Sequence, residues 1–96
     1  MPSMNKLSTY CTTIARRADL VAVTYHNTQI VAFDDRNIVL RTGGWDSVTT
    51  RRKMNQASNQ FGLGFSVYRK DGASYVKLPT GDVRPLDREV TFARGA

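Results

Sequence analysis

Glycines bracket the one stretch of this chain that has the periodicity of a helix. Gly43 and Gly44 precede it, and Gly62 and Gly64 follow it. Because glycine adopts backbone angles that are closed to other residues, it favours the turns where regular elements begin and end. Helical spacing within the bracket places four side chains on one stripe: Thr50, Met54, Ala57 and Phe61. The sequence therefore predicts one main helix, over residues 47–61, with this stripe against the core.

Alternating apolar and polar residues, the pattern of half-buried strands, occupy most of the chain on both sides of this helix. The predicted strands are 20–28, 29–33, 38–41, 63–69 and 74–78, and a further edge strand is allowed at 89–93. Turn residues at 34–37 and 70–72 predict hairpins. The order βββ-α-ββ, with one more strand allowed, predicts an α+β fold. We expect a small, mostly antiparallel sheet with one main helix packed on a face.

Length and composition predict a single small domain. The chain has 96 residues, of which 41% are hydrophobic, and it contains one cysteine and one histidine. This inventory excludes a disulfide scaffold and the four-ligand zinc sites of small domains. We expect a loosely ordered or short-helical segment at 1–19, a single globular core at 20–78, and an irregular tail with an edge strand allowed at 79–96.

The sequence also carries information about location. No apolar run approaches the roughly 20 residues that a membrane-spanning helix needs. The continuous apolar region of a secretory signal is absent as well. We therefore expect a cytoplasmic protein without a membrane partner.

The chain is strongly basic. Lys and Arg number 14 against eight Asp and Glu, which gives a net charge of +6. An excess of this size on a small surface favours encounters with polyanions and with acidic protein faces. The same charge can serve solubility alone, so it indicates a class of partner without identifying one.

The inventory of catalytic groups is poor. A general base that works near neutral pH is most often a histidine, and His26 is the only one in the sequence. It lies on the polar side of a predicted strand, where a hydrogen-bonded surface residue is the simpler interpretation. We therefore predict a protein that is not an enzyme and that uses no cofactor and no metal.

The densest functional signal lies in the predicted helix. Arg51, Arg52 and Lys53 are followed by an amide-rich run without an acid. Helical spacing predicts an exposed face formed by Arg52, Asn55, Gln56 and Asn59. Cationic groups neutralise phosphates, and amides can bond to base edges or to backbone oxygens. Such a face can contact nucleic acid or a protein partner, although amide-rich helix faces also occur as plain solvated surfaces.

A second candidate is the junction between the third predicted strand and the helix. Arg41 ends the strand, Gly43 and Gly44 turn the chain, and Trp45 and Thr49 flank the helix start. Free N–H groups at a helix start, together with the positive end of the helix dipole, can hold an anion. Trp45 is available either for stacking on a base or for covering the core.

The second predicted hairpin combines aromatic and positive side chains. They are Tyr68, Arg69, Lys70, Tyr75 and Lys77. Aromatic rings that stack on bases, beside cations that follow the backbone, are typical of proteins that bind single-stranded nucleic acid. From this hairpin, Tyr68 joins the helix and junction residues as a candidate stacking group.

A string of residues in the middle of the chain is distinctive. It consists of YHNT at 25–28, TGGW at 42–45, TT at 49–50, RKMNQASNQFGLGF at 52–65 and VY at 67–68. Through these residues, the chain from about 23 to 77 resembles a group of small proteins encoded by bacteriophages and prophages. The resemblance implies a phage origin and action in the cytoplasm of an infected bacterial cell, and it implies no particular activity.

The favoured hypothesis is a phage accessory protein that binds nucleic acid. In this hypothesis Arg41, Arg51, Arg52 and Lys53 neutralise phosphates, and the helix amides make polar contacts. One alternative is an inhibitor that docks on a bacterial defence or housekeeping protein complex, and another is a protein that sequesters a nucleotide signal. Exposed hairpin edges also allow two copies to pair as a homodimer.

Overall fold

The computed structural model describes residues 12–43 and 47–94, which form eight strands and one helix. The elements in chain order are β1 (Thr12–Arg17), β2 (Leu20–Tyr25), β3 (Thr28–Phe33), β4 (Asn37–Arg41), α1 (Val48–Phe61), β5 (Ser66–Lys70), β6 (Ala73–Lys77), β7 (Val83–Pro85) and β8 (Glu89–Ala93). The strand pairings of the described residues are antiparallel, and α1 packs against the strands. The prediction of a small α+β fold with one main helix is confirmed.

The strands form two sheets. The large sheet has the order β1-β2-β3-β4-β8, and the small sheet has the order β5-β6-β7. In the large sheet, Tyr25 pairs directly with Thr28, so only His26 and Asn27 connect β2 to β3. The sequence predicted one strand over residues 20–28, and the structure divides it at His26, whose φ is 54°. The turn residues are His26 and Asn27, so the glycine that commonly marks a two-residue hairpin is absent and no strong turn signal interrupts the predicted strand.

The sequence predicted a loosely ordered or short-helical segment at 1–19, of which residues 1–11 lie outside the described residues and residues 12–17 form a strand. Each residue of β1 pairs with a residue of β2, and Ile14 lies opposite Val23. Ala18, with a φ of 52°, turns the chain between the two strands. Pairing with β2, together with the β-branched Thr12, Thr13 and Ile14, outweighs the helix propensity of the alanines.

The C-terminal tail belongs to both sheets. β8 pairs with β4 at the edge of the large sheet, in agreement with the edge strand allowed at 89–93. β7 is an edge strand of the small sheet, where the missing N–H of Pro85 is tolerated. Leu86 and Phe92 lie in the core. The folded unit therefore extends beyond the expected core of 20–78 on both sides.

The core lies between the large sheet, α1 and the small sheet. α1 packs against β3 of the large sheet and β5 of the small sheet. The fully buried apolar side chains include Val23, Val31, Ile38, Leu40, Met54, Ala57 and Val76. The helix stripe predicted to face the core does so, because Thr50 is also buried and Phe61 packs against the same cluster.

α1 begins and ends close to the predicted residues. The Ser47 hydroxyl accepts a hydrogen bond from the N–H of Thr50 at 3.1 Å. At the other end, Gly62 has a left-handed φ of 64°, and its N–H donates to the carbonyl of Ser58. With 14 residues, many of them polar, α1 is neither long nor apolar enough to cross a membrane, and no other helix lies within the described ranges.

Candidate functional site

Two polar side chains of α1 bind the backbone at the free edge of β5 and at Phe65, the residue before it. The side-chain amide of Asn55 donates to the carbonyl of Val67 at 2.9 Å and accepts from the N–H of Val67 at 2.7 Å. One turn later, the Ser58 hydroxyl donates to the carbonyl of Phe65 at 2.6 Å and accepts from its N–H at 3.1 Å. These side chains make the hydrogen bonds that a neighbouring strand would otherwise make.

The amide-rich face of α1 is therefore only partly exposed. Arg52 and Asn59 are exposed, as predicted. Gln56 is completely buried, so the prediction that it is exposed is wrong, and Asn55 is half-buried against β5. Helical periodicity predicts one buried stripe, whereas strands of both sheets pack on α1. What reaches the surface is a narrow stripe that includes Val48, Arg52 and Asn59.

Two of the three cations in α1 are buried as well. Lys53 is 2% exposed, and its Nζ lies 5.1 Å from the centroid of the Tyr25 ring. Arg51 is 9% exposed, and its guanidinium donates to the Ser74 hydroxyl at 3.4 Å. Within the described ranges, no buried side-chain nitrogen or oxygen lacks a hydrogen-bond partner. These polar groups connect the elements of the fold, and they would have to leave their partners to reach a phosphate.

The junction residues lie in separate environments. Arg41 is on the outer side of the large sheet, where its Nε donates to Oε1 of Glu89 at 2.7 Å. Gly43 has a φ of 65°, and a Cβ at this position would lie 3.0 Å from Cγ2 of Thr28, so the backbone conformation and the tight packing both favour glycine there. Thr49 is half-buried in the first turn of α1. Gly44 and Trp45 lie outside the described residues.

A cavity of about 340 Å³ lies beside the start of α1. It is lined by Tyr25, His26, Asn27, Thr28, Ile30, Thr42 and Thr50. The rings of Tyr25 and His26 lie against each other, with centroids 4.4 Å apart. Ser47 already accepts the N–H of Thr50, which removes one of the free donors on which an anion site at a helix start depends.

The outward side of the small sheet carries a different set of side chains, which we call the tyrosine face. It consists of Ser66, Tyr68 and Lys70 of β5, Ala73, Tyr75 and Lys77 of β6, and Val83 and Pro85 of β7. Strand alternation places these residues opposite the buried Val67 and Val76. Tyr68 and Tyr75 pair across the hairpin, with ring centroids 5.8 Å apart and ring planes inclined by 28°. Tyr68 is 37% exposed.

Each tyrosine has a lysine two residues further along its own strand. Lys70 follows Tyr68 on β5, and Lys77 follows Tyr75 on β6. Because the strands are antiparallel, the two lysines lie at opposite ends of the tyrosine pair, each about 7 Å along its strand. Both lysines are exposed. A shallow cavity of about 310 Å³ on this side is lined by Tyr68, Lys70, Asp71, Tyr75 and Val83.

The sequence places Tyr75, Lys70 and Lys77 on the second predicted hairpin, but only Tyr68 of this face is among the predicted contact residues. The signal for them is the turn at Asp71 and Gly72, since a two-residue turn pairs position 70 with 73, 68 with 75 and 66 with 77. That register is enough to place both tyrosines on one side of the hairpin. The repeated spacing of tyrosine, any residue and lysine adds the two cations.

Comparison with protein families gives the origin of the chain. The family model described as Kyanoviridae Gp96 protein matches residues 2–95. No curated protein and no solved structure matches the chain. The family match extends over nearly the whole sequence and confirms the resemblance to small phage-encoded proteins. The chain belongs to the Kyanoviridae Gp96 protein family.

Proposed function

We propose that this phage protein binds single-stranded nucleic acid, without catalysing a reaction, and that the tyrosine face is the contact surface. The observation that carries the proposal is the pairing of Tyr68 with Tyr75 between Lys70 and Lys77. The proposal moves the contact from α1 to the small sheet, because packing occupies most polar groups of the helix.

Stacking on the tyrosine rings supplies affinity that does not depend on sequence. Every base has a π-face, and stacking of one base on an aromatic side chain contributes about 1–3 kcal/mol. The rings of Tyr68 and Tyr75 are inclined by only 28°, so they present similar planes to an incoming strand. Two neighbouring rings of this kind suit two successive bases.

The lysines supply the electrostatic part of the affinity. Among the described residues, the one ion pair joins Arg41 to Glu89. Lys70 and Lys77 therefore form no ion pair with a carboxylate of the described residues. Their position at both ends of the tyrosine pair suits phosphates on either side of the stacked bases. The net charge of +6 adds attraction at longer range.

Fluorescence anisotropy with labelled oligonucleotides tests the proposal. Oligo-dT, oligo-U and a duplex of equal length are titrated at about 50 mM and 200 mM salt, the range over which phosphate-driven binding changes steeply. We expect saturable binding of single strands, with lower affinity for the duplex. No binding of any oligonucleotide at the lower salt would contradict the proposal and favour docking on a bacterial protein complex.

Variants locate the contact surface. Tyr68→Leu should weaken binding about 5- to 150-fold through loss of stacking. Lys70→Gln and Lys77→Gln should each reduce the slope of log affinity against log salt by about 0.7.

Arg52→Gln is the matched control, because it removes one exposed positive charge from α1 instead of from the tyrosine face. It should leave the affinity close to that of the wild type. A loss of affinity with Arg52→Gln and none with the two lysine variants would place the contact on the helix and contradict the proposal.

A further inference from the structure

Asp71, in the turn between β5 and β6, places a carboxylate at one end of the tyrosine face. Its side chain lines the shallow cavity together with Tyr68, Lys70, Tyr75 and Val83. Within the described residues, neither an ion pair nor a hydrogen bond occupies this carboxylate. The carboxylates of Asp34 and Asp82, by contrast, accept hydrogen bonds from nearby groups. An unoccupied negative charge would repel phosphates, so its presence beside two stacking rings suggests a different contact.

An ionised carboxylate only accepts hydrogen bonds, and it has two oxygens with which to do so. Guanine presents two neighbouring donors on its Watson–Crick edge, the N1–H and the 2-amino group. Adenine and cytosine present one amino group beside ring acceptors, and thymine and uracil present one N–H between two carbonyls. Of the common bases, guanine is therefore the best match for both carboxylate oxygens.

We infer that the shallow cavity is a specificity pocket for guanine in a single strand, in which a tyrosine stacks on the base and Asp71 accepts from its Watson–Crick edge. The inference rests on the proposed function. It adds sequence preference to a surface that would otherwise bind every base through stacking and phosphate contacts. Lys70, which also lines the cavity, is placed to contact the phosphate of the same nucleotide.

Asp71 also has a structural role, which the test has to separate from recognition. The φ angles of Asp71 and Gly72 are 52° and 82°, the left-handed values of a tight hairpin turn. Asp-Gly and Asn-Gly both suit such a turn. Asp71→Asn therefore keeps the hairpin while it removes the charge and replaces one acceptor oxygen with a donor.

The experiment measures binding of short oligo-dT strands whose central base is guanine, adenine, hypoxanthine or thymine. The wild type should bind the guanine strand at least about 5-fold more tightly than the adenine strand, because only guanine offers two donors to the carboxylate. Adenine is the right comparison, since both bases are purines and stack alike. Hypoxanthine lacks the 2-amino group and should bind with intermediate affinity. Asp71→Asn should reduce the preference for guanine over adenine to less than about twofold.

Asp82→Asn is the matched control, since it removes the same charge from a carboxylate that does not line the cavity. It should retain the preference for guanine. Both variants should bind the all-thymine strand slightly more tightly than the wild type does, because each removes one charge that repels phosphates.

The outcomes separate this inference from the proposed function. Equal binding of the guanine and adenine strands by the wild type overturns the inference and leaves the proposed function standing. A preference for guanine that survives Asp71→Asn also overturns it, because other groups would then read the base. Failure to bind any of the strands contradicts the proposed function itself.

Discussion

The face of α1 and the tyrosine face use their side chains in opposite ways. On α1, polar groups such as Lys53 and Ser58 are buried and contact residues outside the helix. On the small sheet, the aromatic ring of Tyr68 reaches the surface, although aromatic rings commonly fill cores. The residue types of both surfaces are compatible with binding. Their positions relative to the packed elements bury most of the first surface and leave the second exposed.

The contrast has an energetic basis. A buried polar group that loses its partner carries the full cost of desolvation, so side chains of the first kind are needed for folding. Replacing an exposed ring changes the free energy of unfolding little, so side chains of the second kind can be used to bind a ligand. Changes on α1 should therefore affect stability first, and changes on the tyrosine face should affect binding first.

The largest effect is expected for Asn55→Ala, which would break the comparison if it proved harmless. The change leaves the N–H and the carbonyl of the buried Val67 without partners and should lower the free energy of unfolding by about 2–4 kcal/mol. Urea unfolding measures this difference. Asn59→Ala truncates the same side chain on the exposed stripe, where water can replace a lost partner, and should cost about 1 kcal/mol or less. Equal losses in the two variants would contradict the role of Asn55.

Ser58→Ala should have the next largest effect. It removes both hydrogen bonds to Phe65, while alanine is the better helix former, so the net loss should be about 1–2 kcal/mol. Amide hydrogen exchange locates the effect, because the N–H of Phe65 should exchange faster in the variant. Unchanged protection of that amide would show that Ser58 does not hold the backbone where the chain enters β5.

Tyr68→Leu tests the other half of the comparison. Because the ring is 37% exposed, its loss should change the free energy of unfolding by about 0.5 kcal/mol, the scale of a cross-strand pair. Val67→Ala, one residue away and 4% exposed, is the matched control and should cost more than about 1 kcal/mol. A loss for Tyr68→Leu as large as that for Val67→Ala would mean that the tyrosine face belongs to the core.

The smallest effect is expected in the turn between β3 and β4, which lies outside both regions. It shows how much one side chain in a surface turn contributes to the free energy of unfolding. Backbone N–H groups of Asn37 and Arg36 donate to Asp34 and hold the pKa of its carboxyl below its usual value. A depressed pKa in the folded state adds stability above the unfolded pKa, and this stability is lost as the pH falls through the folded value.

Between neutral pH and about pH 3, the wild type should thus lose slightly more stability than Asp34→Asn, because only the wild type carries this carboxyl. Thermal unfolding across that pH range makes the comparison. Parallel declines in the two proteins would show that the turn gains nothing from the ionised carboxylate.

Much of the fold was predictable because local signals coincide with tertiary structure. Ser47 and Gly62 mark the ends of α1, and the turn at Asp71 and Gly72 fixes the register of the second hairpin. The turn at His26 was missed because histidine, instead of glycine, adopts the left-handed conformation there. β1 was missed because pairing with β2, which no local signal reports, decides its conformation.

The site was less predictable than the fold. Helical periodicity shows which side of α1 is most apolar, and it correctly placed Met54 and Ala57 in the core. It could not show that a second sheet, formed by residues after the helix, also packs on α1 and binds the half-buried Asn55. The tyrosine face, by contrast, follows from turn register and strand alternation alone.

The cover that α1 provides for the edge of β5 also has a consequence for the order of folding. Asn55 and Val67 are 12 residues apart in sequence, whereas Arg41 and Glu89, which join the edge strands β4 and β8, are 48 apart. Closing the shorter loop loses less chain entropy, so the helix and its hairpin can assemble first. An uncovered strand edge invites pairing with other chains. On the ribosome, α1 would therefore shield β5 before β8 has emerged, when intermolecular pairing is the greatest hazard to a nascent sheet.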